Sequence, residues 1–426
     1  MASYENTRRQ FLEMVGASLG MMALSPLRPV PAYSATNAGA GTVMTVLGPI
    51  PAGELGVTLM HEHIYTDFTG YYEETKPLFA KIDKEMYFAV DPLKPVEIED
   101  LAYLNMGGFA LSKDAWSMQN HALMLRELQA FKKTGGNAVL EVSPWGKFQG
   151  PDFHTTLKRL SEESGIHIVC STGLYGGDSL FWYDEALAMS EAELVKTFIG
   201  HARDGFGDSG VKAGHLKTAP NEWGENEHRA ARACIATQKE SGLLYTIHHG
   251  AKMDQAMAEK IHTDLIAWGG QPERTVLAHI QKYLVNYDLK TLVKTPESRI
   301  AADVDFYKRM LDHGFILSFD TFSTNMGMEI FEFLLDDGTP NAFEGANGDN
   351  DAEMLAMIYY LIQEGYAKQI VISQDCYSKV HLRSFGGHGY TRVTSFALPL
   401  LRNVGVSEEI LSQLVVGNPA RLLQPV

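Results

Sequence analysis

The sequence predicts a (β/α)8 barrel of the α/β class, on three observations. Eight short apolar or β-branched runs follow one another along the chain, amphipathic stretches of helical length separate most of them, and ligand-type side chains stand at the ends of several runs. Strands alternating with helices argue for a parallel sheet with crossover connections. In a closed barrel of this kind the C-terminal ends of all the strands meet on one face, where catalytic residues collect. An open doubly wound sheet is the competing architecture. It gathers its site at one switch point and leaves ligand-type residues on so many separate strand ends unexplained.

The chain opens on a segment unlike the rest. Residues 1–35 carry the pair Arg8-Arg9, a mild apolar stretch at 14–24, then prolines and small residues. This is the pattern of a twin-arginine-type signal peptide and linker, and it predicts an exported protein, periplasmic where the cell has an outer membrane. The apolar stretch is too short for a bilayer core that needs ~20 residues, so no stable membrane association is expected. The alternative is an N-terminal cap on the barrel. Gly16-Ala17-Ser18-Leu19-Gly20 matches a nucleophile elbow but has no strand before it, and is set aside. Residues 42–426 are expected to form one domain.

The first strand run ends in Leu59-Met60-His61-Glu62-His63-Ile64. Period-2 alternation turns His61 and His63 to one side of a strand. Two converging imidazoles suit a Zn-type cation, whose bonds to nitrogen are ~2.0 to 2.1 Å. The spacing is not the helical H-E-x-x-H of metalloproteases. Runs at 138–142 and 167–171 follow; Lys217 comes after the run at 211–216 and His248 after that at 243–247. His279 ends the run at 275–278, a seventh run occupies 315–319, and Asp375 ends the run at 370–374. Helices are expected at 123–133, 191–202, 227–240 and 254–268, and Gly135-Gly136, Gly165, Gly242 and Gly314 stand where a helix C-cap favours glycine.

Two connections at the active face are too long for ordinary βα loops. One is 67–119, rich in Tyr, Phe and Met; the other is 321–350, with a short helix expected at 326–335 and Gly345-Ala346-Asn347-Gly348 after it. Insertions of this kind act as lids or substrate walls. Their alternative role is to stabilise a homodimer. The loop Gly386-Gly387-His388-Gly389-Tyr390 either carries His388 to a substrate or only makes a turn.

Composition fits one enzyme domain: 426 residues, 45% of them hydrophobic. A net charge of −16 argues against nucleic acid or an anionic membrane surface as partner. Cys170, Cys234 and Cys376 form no C-x-x-C pair and leave an odd count, so no disulfide framework is expected.

Val46-Leu47-Gly48-Pro49-Ile50 followed by Leu55-Gly56-Val57-Thr58-Leu59-Met60-His61-Glu62-His63 resembles the opening of the phosphotriesterase family of the amidohydrolase superfamily. The similarity continues through Ser171-Thr172-Gly173-Leu174-Tyr175, residues 213–217, the strands ending in His248 and His279, Ser373-Gln374-Asp375 and Gly417-Asn418-Pro419-Ala420-Arg421. The resemblance implies a distorted (β/α)8 barrel with two divalent metal ions, usually Zn2+. His61, His63 and Asp375 would hold the more buried ion, and His248 and His279 the more exposed one. Lys217, carboxylated by carbon dioxide, would bridge them, since an ammonium has no lone pair whereas a carbamate offers two anionic oxygens.

Such a pair of ions supplies a bridging hydroxide near neutral pH and polarises a carbonyl or phosphoryl oxygen. Two dications less one charge each for Asp375, the carbamate and the hydroxide leave about +1 to stabilise a developing oxyanion. Asp375 would carry the proton to the leaving group. His215 and His249 have no metal role in the family pattern.

Three positions bear on the substrate. Lys282 stands where many relatives have a proton-relaying aspartate, and Thr321 where phosphotriesterases carry histidine and lactonases arginine. Tyr175 matches a tyrosine that lactonase-like members place over the metals. Residues 319–322 and 386–390 resemble the resiniferatoxin-binding-protein-related branch, which commonly bridges its metals with glutamate; Lys217 makes this a mixed case. The expected activity is hydrolysis of a lactone, carboxylic ester or related carbonyl, with phosphotriesters as side substrates and Tyr175, Thr321, Lys282 and His388 as substrate contacts. The alternatives are a phosphotriesterase proper, an acyl-amide hydrolase and, in another class, a catalytically silent exported binding protein.

Overall fold

Two short strands, β1 (Thr42–Thr45) and β2 (Gly48–Pro51), pair antiparallel as a hairpin ahead of the barrel. The barrel strands are β3 (Thr58–Glu62), β4 (Ala138–Glu141), β5 (His167–Tyr175), β6 (His215–Ala219), β7 (Leu244–His248), β8 (Thr275–Ala278), β9 (Ile316–Phe319) and β10 (Ile370–Ile372). They form one eight-stranded sheet in sequence order, every pair parallel. This is the expected (β/α)8 barrel. The computed structural model describes residues 41–79, 91–105, 112–176, 180–250, 253–284, 303–322 and 351–426, all within the unit Tyr33–Val426. The signal segment 1–35, the expected helix at 326–335 and residues 345–348 lie outside the described residues.

Helices form where amphipathic spacing and capping residues coincide. His121–Lys133 starts at Asn120, whose side chain accepts from Leu123 N, and Gln255–Ala267 starts at Asp254, which accepts from Met257 N. Ser190 and Glu193 make a reciprocal capping box on Glu191–Arg203. Glu225–Ser241 ends at Gly242 in the left-handed conformation that a C-cap requires. No described helix is long and apolar enough to cross a membrane.

The barrel interior is layered. Met60, Leu140, Leu244, Val276, Ile316 and Val371 pack into one apolar cluster with Val43 and Leu55 near the hairpin and Leu422 and Leu423 at the C-terminus. Val46 N donates to Ile168 O at 2.8 Å, so the hairpin sits at the N-terminal ends of the strands. On the outer side, Leu59, Val139, Leu216 and Leu317 pack with Leu128, Leu160 and Phe198 of the helices. Buried on both faces, β3, β4 and β6 are continuous buried runs, as parallel strands under helices should be.

Two strands differ from the sequence expectation. β6 begins at His215 rather than 211, so Lys217 lies in the middle of the strand instead of after its end. Residues 211–214 serve as its entry loop, with Ala213 N bonded to His201 O at 3.0 Å. β5 runs on to Tyr175, because its later half finds a partner along β6: Ser171 to Tyr175 face His215 to Ala219.

Within that pairing Gly173 stands directly beside Lys217. Its φ is +120°, and a β-carbon placed there would overlap the Lys217 carbonyl oxygen. Gly173→Ala is therefore expected to destabilise the fold by roughly 3 kcal/mol, combining backbone strain with overpacking against main chain. A denaturant midpoint unchanged from wild type would show that β5 and β6 can separate here without penalty.

Candidate metal centre

The end of β3 carries the first candidate ligands. Pairing of β3 with β4 slips between Leu59 and Glu62, an irregularity of the kind that re-aims side chains. Met60 packs into the inner cluster, yet His61 beside it also reaches the barrel mouth, with Nε2 3.0 Å from Lys217 Nζ. His63 shares that side: its Nε2 is 3.4 Å from Asp375 Oδ1, and His61 Nε2 is 3.8 Å from the same oxygen. A tetrahedral ion with bonds of ~2.1 Å spaces its ligand atoms by roughly 3.4 Å.

The other strand ends add the rest. Lys217 of β6 is fully buried, and His248 closes β7 with its ring centroid 4.3 Å from that of His279. His279 follows β8 at φ +59°, and Asp375 follows β10 at φ +51°. A left-handed backbone costs a non-glycine residue ~1–2 kcal/mol. His279 Nε2 lies 3.8 Å from Asp375 Oδ2. Among the described residues, ligand atoms of His61, His63 and Asp375 fall within 4.8 Å of one another, as do those of His61, His279 and Asp320.

The second group reads differently once its atoms are named. Asp320, just past β9, meets His61 Nδ1 at 3.1 Å and His279 Nδ1 at 2.9 Å, and also accepts from His279 N at 3.1 Å and Gln281 Nε2 at 3.1 Å. A carboxylate that takes the His279 Nδ1 proton leaves that Nε2 lone pair free for a cation, and its second oxygen, 3.1 Å from His61 Nδ1, faces that ring from the same side. His63 is set in the same way through a serine: Nδ1 is 2.6 Å from Ser143 Oγ, which donates to the buried Glu141 carboxylate. Tyr390 Oη donates to His63 O at 2.7 Å. Asp320, the Ser143–Glu141 pair and Tyr390 had no role in the sequence pattern. Only Asp320 had a signal, as the residue directly after the seventh run.

Burial sets the protonation states. It holds the His61 imidazole down to about 3, with the Lys217 charge adding to the effect, and holds His63 and His248 well below their ordinary value. Neutral imidazole is the form that binds metal. Burial also lowers Lys217 to about 8 against the pull of Asp375, and raises Asp375 to about 6 against the His279 and Lys217 charges. Asp320 goes the other way: burial would raise it, but His279 and His61 hold it well below the carboxylate range.

The donor set fits a divalent cation. Asp375 Oδ1 is buried and has no hydrogen-bond partner, although two imidazole Nε2 atoms lie within 3.8 Å of it. A cation between them satisfies all three, and His61, His63, His248, His279 and Asp375 are the residues that would hold it and a second ion.

An aromatic wall rises beside the cluster. The Tyr175 ring centroid is 6.4 Å from that of His63 and 5.9 Å from that of His248, and Phe68, Phe148 and Phe181 surround it at 5.8 to 6.0 Å. The Tyr71 and Tyr175 hydroxyls interact, and burial pushes that of Tyr175 well up. Tyr71 in turn packs on Trp116, which stacks on Tyr377. Phe68, Tyr71 and Trp116 all come from the long connection 67–119.

Residues 41–423 match the phosphotriesterase family. The chain belongs to that family. Among curated proteins it is 27% identical to an N-acetyltaurine hydrolase of Dictyostelium discoideum and 26% identical to one of Homo sapiens, each covering 90% of this chain and 98% of the relative. Among solved structures it is similar to a resiniferatoxin-binding protein from Rhodobacter sphaeroides, with TM-score 0.72, 23% identity and coverage of 92% and 98%. It is also similar to a phosphotriesterase homology protein from Escherichia coli, with TM-score 0.62, 18% identity and coverage of 87% and 99%. The phosphotriesterase family and these relatives support a hydrolase.

As a phosphotriesterase-family member, the chain brings Tyr175 against the ligand rings, while the other expected substrate contacts have further partners. Lys282 Nζ donates to Gly250 O at 2.6 Å, and Thr321 Oγ1 lies 3.6 Å from Met354 Sδ. His388 is exposed and its carbonyl accepts from Thr391 Oγ1 at 2.7 Å, within a tight turn. His215 spends its nitrogens on Ser171 and Thr246, and His249 on Ala278 O and His262, so neither is available as a ligand.

Asp320→Asn should keep the fold but weaken metal binding roughly 10- to 100-fold, because an amide turns one of the two oxygens that face His279 Nδ1 and His61 Nδ1 into an N–H donor. Metal content after dialysis, beside circular dichroism, measures this. Wild-type affinity in the variant would remove Asp320 from the orientation of His61 and His279.

Proposed function

We propose that this chain is a binuclear metal-dependent hydrolase of carbonyl substrates, with N-acyl amides first and carboxylic esters or lactones next. The observation that carries the reading is the convergence of His61, His63, His248, His279, Asp375 and Lys217 on one mouth where Asp375 Oδ1 has no hydrogen-bond partner. The names of the curated relatives, N-acetyltaurine hydrolases, favour the amide. Two bound divalent ions, Zn2+ as the first choice, supply a water acidified to near neutral pH and polarise the acyl oxygen.

The chain's own residues do the rest. Lys217, lowered to about 8 by burial, has an appreciable neutral-amine fraction near pH 7 to 8, and that is the form that reacts with carbon dioxide to give an anionic carbamate. Unmodified, its ammonium competes with a cation for the His61 Nε2 lone pair 3.0 Å away. Tyr175, whose ring stands beside those of His63 and His248, would donate its hydroxyl proton to the acyl oxygen or leaving group. Asp375 turns Oδ1 toward His61 and His63 and Oδ2 toward His279, which lets one oxygen ligate while the other holds the proton passed to the leaving amine or alcohol. The aromatic wall excludes water from the acyl group. Arg8-Arg9 and the stretch after them support export across the inner membrane.

Dialysis against a chelator should abolish activity, and Zn2+ with bicarbonate should restore it. With the metallated protein, kcat/KM for acetylated amines, aryl esters or lactones is expected to exceed that for a phosphotriester. A phosphotriester preference would return the chain to phosphotriesterase proper, and no turnover of any of these by protein holding two ions would favour the silent binding protein. Lys217→Ala should lose metal and activity, with partial rescue by a short carboxylic acid. Tyr175→Phe, which deletes one hydrogen bond of ~1 kcal/mol, should lower kcat/KM on the acyl substrate about 5-fold. Unchanged acyl turnover in that variant would take Tyr175 out of the mechanism.

A further inference from the structure

Glu62, between the two histidines of β3, is fully buried, and nothing in the ligand pattern gives it a task. Its carboxylate accepts from Ser373 Oγ at 2.7 Å, Gln374 N at 2.8 Å and Cys376 N at 2.9 Å. These donors straddle Asp375. Ser373 Oγ also accepts from His61 N at 3.0 Å, and Asp375 N donates to His61 O at 3.1 Å.

The place of this clasp in the barrel gives it meaning. Every other pair of neighbouring barrel strands is joined by a main-chain ladder, but among the described residues none joins β3 to β10. A ladder fixes successive residues in extended conformation, whereas Asp375 turns back at φ +51°. Buried N–H groups on either side of such a turn need acceptors from elsewhere. One carboxylate with two oxygens serves the three donors, and it is covalently part of the strand that carries His61 and His63. Any shift of the last strand against the first would move Asp375 relative to both histidines.

We propose that Glu62 is a positioning residue of the metal centre: by clasping residues 373–376 it fixes Asp375 at the one place where its carboxylate and the His61 and His63 Nε2 atoms share an ion. The proposal rests on the metal-dependent reading above. A side-chain amide of the same shape does not replace it, since one of its two heads would present N–H groups to the N–H donors of the loop.

The test uses Glu62→Gln in the full chain, with Co2+ as probe. Direct titration should give Co2+ affinity roughly 10- to 100-fold weaker than wild type. The visible absorption of the bound Co2+ should change in shape, because a displaced Asp375 alters the coordination, and activity should return in part at saturating metal. A role confined to closing the barrel would lower Tm and leave the Co2+ affinity and spectrum unchanged, and that result overturns the proposal. Should Glu62→Gln not fold, Ser373→Ala removes one donor to Glu62 and the acceptor of His61 N while keeping the carboxylate. A smaller shift in the same direction supports the proposal, and wild-type affinity and spectrum overturn it. Wild-type protein that takes up no Co2+ would remove the metal centre itself, whereas normal uptake by wild type and both variants would remove only the role of Glu62.

Discussion

The junction between β3 and β10 is the constraint on which the barrel mouth depends. A closed parallel barrel must join its last strand to its first, and here the join is made by hydrogen bonds to one carboxylate and one hydroxyl with a single main-chain bond from Asp375 N to His61 O. Burial raises the Glu62 carboxyl to about 8 against the pull of these donors; a buried hydrogen bond contributes ~0.5–1.5 kcal/mol net, and an abandoned buried N–H costs ~1–3 kcal/mol. Closure and ligand placement are therefore the same interaction, and the register of the last strand is set at the point where it matters chemically.

The same device recurs on this face. Glu127 of helix His121–Lys133, also buried, accepts from Arg383 N at 3.0 Å, Ser384 N at 3.0 Å and Ser384 Oγ at 2.8 Å, and so pins the loop after β10. Glu227 holds the loop after β6 through Asn221 N at 2.6 Å and Gly224 N at 2.8 Å. Loops leaving strand ends carry N–H groups that no ladder satisfies, and a carboxylate accepts several at once. Desolvating these ions is costly. The face that carries the chemistry is thus built from groups that gain nothing as apolar packing and are tolerated because each has named donors. Asp375 is the exception, buried with Oδ1 left without a hydrogen-bond partner beside the His61 and His63 rings.

Much of this was legible in the sequence for a physical reason. Strand ends in a barrel converge, so His61, His248, His279 and Asp375 could be placed together from local runs alone, and capping residues such as Asp254 and Gly242 marked helix limits to within a residue or two. Local pattern alone places Lys217 after a run at 211–216, but pairing with β5 decides where β6 begins, and pairing is not local. The irregularity in β3 was hidden too, since it depends on register with β4. Ser143, Glu141 and Tyr390 act through contacts between distant segments, and nothing in their own neighbourhoods distinguishes them from ordinary polar residues. Glu62 stood in plain view between two histidines, but its partners lie more than three hundred residues away.

Gly173 sets a limit on how this chain can change over generations. Every other genetically encoded residue has a β-carbon, and at this position a β-carbon overlaps the carbonyl of the lysine across the sheet. No missense change is silent there, although Gly173 offers no functional group. Substitutions on the connections leave that clearance untouched, but a lineage cannot drift at Gly173 without moving the β6 backbone first. Mutational tolerance in this barrel is thus governed by the clearance between β5 and β6 as firmly as by the ligands themselves.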